Sequence, residues 1–270
     1  MKALLLSIVI LSFLKAHSQD TTYFDKTWKK TSKSNATHYR LQSKEGSRIK
    51  ILQYYSNDTL QMTGYAESID PGKTDAFFIK NGFFKYYDEK GIISRQGNYI
   101  NNVQIDEWQT FYPDGKLYYT ENYDSKGKET GKLTVYYPDG KIKRTDNYSK
   151  GDFKNGKCFT RSGNDTTWYP FLTMPEFPGG DKVRNNFLAQ NLNYPIYLAE
   201  KGIQGIVLVS FIIGSEGKIE NIELVNKVYQ QLDDEALRVV KMMPRWKPGT
   251  QDGKPYRVTM YMPITFKIQR

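Results

Sequence analysis

MMPRWKPGTQDGKPYRVTMYMPITF (residues 242–266) holds two patterns that decide how the end of the chain folds. In its second half Val258, Met260, Met262, Ile264 and Phe266 alternate with Arg257, Thr259, Tyr261, Pro263 and Thr265, and the alternation continues through Lys267 and Ile268. A period of two over residues 257–268 predicts one long, half-buried β-strand, longer than the two strands before it. In its first half Pro244 and Pro248 break the chain on either side of Trp246. The residue before a proline avoids helical angles, so Pro244 ends the helix that precedes it. Trp246 then packs across that helix end as part of the core.

The preceding residues supply the rest of a small domain. Asp233 is placed to cap a helix, with Asp234 and Glu235 in the first turn and Lys241 near the end, as the helix dipole favours. Ala236, Leu237, Val240 and Met243 form its buried stripe. Residues 205–213 read as a strand with Val207, Val209, Phe211 and Ile213 on one face. Gly214-Ser215-Glu216-Gly217 is a hairpin turn, and residues 218–225 are the return strand. Upstream, Asp181 caps a helix over 182–190 with Val183, Phe187 and Leu188 facing inward. Pro195 opens a short helix over 196–201 that Gly202 stops. A helical crossover brings the third strand back parallel to the second. If all neighbours are antiparallel, the order is 2-1-3 and the last strand lies on an edge. An exposed edge invites another strand. Successive N–H groups point to opposite edges, so Pro263, which lacks one, belongs with its gap on the free edge.

The middle of the chain repeats. FFKYYDEKGII, WQTFYPDGKLY and LTVYYPDGKIK place Tyr87, Tyr112 and Tyr137 at intervals of 25 residues. Each tyrosine precedes a turn: Asp88-Glu89-Lys90-Gly91, Pro113-Asp114-Gly115 and Pro138-Asp139-Gly140. Proline presets the first turn angle, Asp bonds its own backbone, and Gly takes the positive φ that closes the turn. A second set of tyrosines, Tyr99, Tyr123 and Tyr148, recurs after asparagine. YYSNDTLQMTGY reads as a degenerate first unit, and the polar, Gly-rich stretch ending at Trp168 as the last strands and a link. One hairpin is marginal in water, so the pattern implies an array.

Near the start of the chain come Lys2, an apolar run from Ala3 to Leu14, and the small-residue exit Ala16-His17-Ser18. That is the form of an export signal, and the run is shorter than the ~20 residues a membrane-spanning helix needs. Residues 1–18 are therefore read as a cleaved signal, and the protein as exported to the periplasm. If the segment is retained, it anchors the protein at the inner membrane. The net charge is +10, but a basic surface on an exported chain gives no reason to expect nucleic acid. Cys158 is the one cysteine, and His17 and His38 are the two histidines. This leaves no disulfide, no zinc pair and no metal cluster. No nucleophile–base motif surrounds His38, so no enzyme activity, catalytic residue or cofactor is expected.

Two resemblances follow from these residues. The hairpin units over residues 50–157 resemble MORN-like repeats, which in exported bacterial proteins act as scaffolds or bind proteins or lipids. MPEFPGG (174–180), NLNYP (191–195), GIQGIVLVSFIIGSEGKI (202–219), LDDEALRVVKMMPRWKPGTQDGKP (232–255) and MPITF (262–266) resemble the TonB C-terminal domain, in its Bacteroidetes-type form. That resemblance implies helices on a three-stranded antiparallel sheet. It implies a partner, a TonB-dependent outer-membrane transporter, whose TonB box adds to the last strand at Arg257, Val258, Thr259, Met260, Tyr261 and Met262. It implies further transporter contacts at Asn191, Leu192 and Asn193. Inner-membrane motor proteins drive the family's pull. Here no long Pro-rich spacer is present, and nothing matches the family's motor-contacting histidine.

The expected organisation is a signal over 1–18, an N-terminal segment over 19–49, a mostly β hairpin-repeat region over 50–168 and an α+β domain over 169–270. Two functions compete. One is an exported TonB-type protein that binds transporters by strand addition and takes part in energy-coupled transport. The other is a periplasmic structural or interaction protein whose repeats bind protein or lipid, with the end domain as a docking module. Self-association is a further expectation, with the gap at Pro263 limiting self-pairing of the exposed edge.

Overall fold

The computed structural model describes residues 20–69 and 78–268. The chain divides into two units between Trp168 and Tyr169. The expected signal segment lies outside the described residues.

The first unit is one antiparallel sheet. Its strands are β1 (Asp20–Phe24), β2 (His38–Glu45), β3 (Arg48–Tyr55), β4 (Leu60–Ile69), β5 (Phe78–Lys80), β6 (Gly82–Tyr87), β7 (Ile93–Ile100), β8 (Val103–Phe111), β9 (Leu117–Tyr123), β10 (Gly131–Tyr136), β11 (Ile142–Ser149), β12 (Asp152–Phe159) and β13 (Asp165–Thr166). Strands follow one another across the sheet in chain order, except that β5 pairs with β4 beside that path. The array expected from the tyrosine repeat is thus a continuous meander. Residues 20–49, which show no repeat, supply β1, β2 and the start of β3.

The turns form as the sequence predicts. Asp88 Oδ1 accepts the N–H groups of Lys90 and Ile92, each at 2.9 Å. Asp114 and Asp139 accept those of Lys116 and Lys141, and Gly115 and Gly140 both sit at φ 82°. The repeat tyrosines do more than pack. The Tyr112 hydroxyl donates to the Tyr136 carbonyl at 2.7 Å, that of Tyr137 to Phe159 at 2.8 Å, and that of Tyr55 to Tyr87 at 3.2 Å. Each hydroxyl ties one hairpin to the backbone of the next, so the periodicity is a structural bond as well as a turn signal. Ile51, Met62, Ala66, Phe78, Phe84, Tyr99 and Trp108 form the buried cluster of this unit, with Tyr99 edge-on to Trp108 at 4.9 Å. Further along, Arg144 and Asp146 make an ion pair at 2.7 Å with both side chains fully buried. The indole N–H of Trp168 donates to the other Asp146 oxygen at 2.9 Å.

The second unit contains β14 (Leu172–Thr173), α1 (Gly180–Asn191), α2 (Ile196–Glu200), β15 (Gly205–Ile213), β16 (Ile219–Leu224), α3 (Gln230–Lys241), β17 (Thr250–Gln251), β18 (Lys254–Pro255) and β19 (Val258–Phe266). Its main sheet has the order β16-β15-β19, antiparallel throughout, which is the predicted 2-1-3. Val207, Val209, Phe211 and Ile213 meet Leu232, Ala236, Val239 and Val240 of α3 in the core, together with Met262, Ile264 and Phe266. Trp246 is 3% exposed and lies edge-on to Phe177 at 5.4 Å. Its backbone N–H donates to the Gly217 carbonyl at 2.9 Å, so the segment after α3 is pinned to the β15–β16 turn. Gly217 has φ 78°, and a Cβ there would stand 1.9 Å from the Trp246 carbonyl oxygen.

Several sequence expectations need correction. α3 starts at Gln230, with Tyr229 at the cap. Asp233 lies inside the first turn, where its buried carboxylate accepts the Val228 N–H at 3.0 Å. α1 starts one residue before Asp181, after Gly179 in a left-handed conformation. Asp181 pairs with Arg184 and makes no cap bond. Val183 is 45% exposed, because it covers Gly179 while Phe187 and Leu188 take the inward face. Leu237 packs at the margin of the core, and Val239 fills the stripe. β19 ends at Phe266 and equals β15 in length, nine residues each. A second small sheet, β14-β17-β18, was not foreseen.

Asp146→Ala would leave the Arg144 guanidinium buried without its carboxylate, and breaking a buried pair costs ~3–5 kcal/mol. Denaturant unfolding of the first unit should shift by that amount. Trp246→Ala should cost the second unit ~3–5 kcal/mol as a truncated core aromatic. Gly217→Ala should cost more than ~1 kcal/mol, since the backbone oxygen it meets is held by the turn it belongs to. A melt of each variant checks both.

Candidate functional site

β19 pairs with β15 along its whole length, from Gly205 opposite Phe266 to Ile213 opposite Val258. Which of its backbone groups remain free follows from the other side of β15. The Leu208 N–H donates to Asn226 Oδ1 at 2.6 Å, and the Leu208 carbonyl accepts the Val225 N–H at 2.8 Å. Asn226 Nδ2 donates to the Ile206 carbonyl at 2.9 Å. The even-numbered residues of β15 therefore turn their backbone groups toward β16. Leu208 stands opposite Pro263, so these two form a non-hydrogen-bonded pair and Pro263 faces away from β15. By the same alternation Thr259, Tyr261 and Thr265 face outward. Pro263 accordingly sits where no ladder donor is needed.

Among the described residues no strand covers this side of β19. The opposite edge of the sheet differs. β16 is shorter, its register with β15 shifts between Ser210 and Ile212, and Asn221 sits at φ 50°. A bulge of this kind twists an edge away from further pairing. β19 is the straight edge of the pair. Its side chains alternate as predicted: Val258, Met262, Ile264 and Phe266 are buried, whereas Thr259, Tyr261, Pro263 and Thr265 are exposed. Arg257 lies just ahead of the strand and pairs with Glu220 at 2.7 Å.

Asn191, Leu192 and Asn193 sit at the junction between α1 and α2. Leu192 packs against the core, and Asn193 is exposed. Two of their backbone groups are held by α3. The Asn193 N–H donates to Glu235 Oε1 at 2.6 Å, and the Asn191 carbonyl accepts Arg238 Nη2 at 2.5 Å. Arg238 also forks onto Glu235, with Nε to Oε2 and Nη2 to Oε1 each at 2.7 Å. Burial pushes the Glu235 carboxyl up, but the Arg238 and Asn193 donors outweigh it and hold it below the ordinary carboxylate value. Sequence reading placed Glu235 as a dipole partner and passed over Arg238. The i,i+3 Glu–Arg spacing was the available signal. Tyr194 lies edge-on to Phe266 at 5.6 Å. The segment therefore adjoins the Phe266 end of β19, and Arg257 marks the other end.

Among the described residues no three His, Cys, Asp or Glu side chains are grouped to hold a metal ion. No described helix is long and apolar enough to cross a membrane.

Residues 190–268 match the family described as the Gram-negative bacterial TonB protein C-terminal domain. Residues 107–125 and 129–150 match the MORN repeat variant. No curated protein matches the chain. Among solved structures, the chain is similar to the Helicobacter pylori TonB C-terminal domain in solution, at 24% identity over 33% of this chain and 79% of that one, with a TM-score of 0.26. It is also similar to a GtfA/B complex bound to UDP and GlcNAc, at 8% identity over 42% of this chain and 22% of that one, again with a TM-score of 0.26. Neither score defines a shared fold. Residues 190–268 thus match a TonB C-terminal domain and residues 107–125 and 129–150 match MORN-type repeats, and the sheet order 2-1-3 and the repeat turns are those expected from the sequence.

Proposed function

We propose that this is an exported envelope protein that binds TonB-dependent outer-membrane transporters, taking their extended TonB box as a fourth strand on β19 and taking part in energy-coupled transport. The family match supports an envelope protein of non-enzymatic type. The observation that carries the reading is the free edge itself. It is regular over nine residues, backed by a buried core, and turns the N–H groups of Thr259 and Tyr261 outward before the gap at Pro263. Strand addition uses such main-chain groups for affinity and the flanking side chains for specificity. Each new backbone bond contributes only ~1 kcal/mol net, so side-chain grip at Arg257, Met260 and Tyr261 has to add to it. The apolar start of the chain supports export to the periplasm. Retention of residues 1–18 would give a direct link to inner-membrane motor proteins.

The same edge makes a register prediction. Labelled protein titrated with a TonB-box peptide should show amide shifts concentrated in residues 257–262, weakening beyond Pro263. Shifts confined to residues 50–168 would overturn the reading and favour the repeat sheet as the binding element.

A further inference from the structure

We propose that Glu235 and Arg238 are positioning residues, which hold the main chain of residues 191–193 in the shape a transporter surface meets. This rests on the function proposed above and on the transporter contact that the TonB resemblance implies for residues 191–193. It separates that function into two contacts with different determinants: the edge of β19 and the α1–α2 junction.

The geometry carries the argument. Both bonds to the junction run to its backbone, at the Asn193 N–H and the Asn191 carbonyl, so the clamp sets the path of the chain whatever the side chains are. The Asn191 side chain is turned back onto the Phe187 carbonyl at 2.8 Å, and the Asn193 side chain is left exposed. At its exposed end, Asn193, such a connection can satisfy its polar groups with water at little cost. Here one carboxylate, 11% exposed, and one guanidinium are committed to it instead.

The apolar core of the unit is built without them. α3 is buried through Leu232, Ala236, Val239 and Val240, and neither Glu235 nor Arg238 belongs to that cluster. An i,i+3 ion pair whose guanidinium is 40% exposed adds little to the stability of its helix. Its effect falls on the conformational freedom of the junction. A pre-ordered segment binds more tightly because its ordering is not left to the moment of binding. The planar fork of Arg238 also matters, because one guanidinium serves Glu235 twice while still reaching Asn191.

The test uses the full chain, a purified TonB-dependent outer-membrane transporter in detergent, and a synthetic peptide of that transporter's TonB box. Glu235→Ala and Arg238→Ala should each weaken binding to the transporter about tenfold, the scale of one residue's lost pre-ordering, and leave peptide affinity within about twofold. Hydrogen exchange at the Asn193 amide should speed up in Glu235→Ala while the melting temperature barely moves. Arg238→Lys should behave like Arg238→Ala, since an ammonium cannot fork. Should an alanine variant lose stability, Glu235→Gln, which keeps an acceptor for Asn193, should retain fold and exchange protection and still lose part of the transporter affinity. Equal loss for peptide and transporter, or unchanged Asn193 exchange in Glu235→Ala, overturns the proposal. If the unaltered protein binds neither probe, the function proposed above falls and this proposal with it. If it binds and all variants bind equally, only the positioning role falls.

Discussion

A strand in the middle of a sheet uses its backbone groups alternately on both sides, and in the second unit β15 is that strand. Its even-numbered residues are committed to β16 and, where β16 ends, to the amide of Asn226. Its odd-numbered residues are thereby left to pair with β19. From this one alternation follow the burial of Met262, Ile264 and Phe266, the outward turn of Thr259 and Tyr261, and the tolerance of Pro263 in an otherwise regular strand. Shifting the pairing by one residue would move the apolar set to water and the proline into the ladder. Both penalties point the same way, so the register is strongly specified.

The two edges of the small sheet are treated unequally. β16 is short and bulged at Asn221, while β19 is straight and uncovered among the described residues. A protein that only had to avoid aggregation would blunt both edges. The one left open is the one whose inner face rests on the buried core and whose far end meets the clamped α1–α2 junction through Tyr194 and Phe266.

The first unit solves the edge problem by extension. Each of its hairpins leaves an edge, and the next strand in the chain covers it. Aspartate and glycine shape the turns, and the tyrosine hydroxyls bond across to the following hairpin. The Arg144–Asp146 pair and the Trp168 indole reinforce the sheet near its β13 end.

Much of this was legible in the sequence because it depends on local periodicity. The alternation of Val207 to Ile213 and of Val258 to Phe266 predicted two strands and their buried faces. Pro244 and Pro248 placed Trp246 at a helix end, and the antiparallel rule predicted the strand order and the outward gap at Pro263. The recurring Tyr and Asp-Gly pairs predicted the hairpins. What failed was whatever depended on partners distant in sequence or on choices between equivalent local bonds. Asp233 can cap a helix or reach back from inside its first turn, and only the position of the Val228 N–H decides between them. Val183 looks like core until Gly179 beneath it claims it. β14 and β17 are two-residue strands too short to show a period, so only their pairing reveals them. The bonds from Glu235 and Arg238 to Asn193 and Asn191 span 42 and 47 residues. Residue type and spacing determined where strands, turns and the open edge had to be. The tertiary structure decided which charged side chains face the candidate site, because long-range hydrogen bonds leave no period in the chain that makes them.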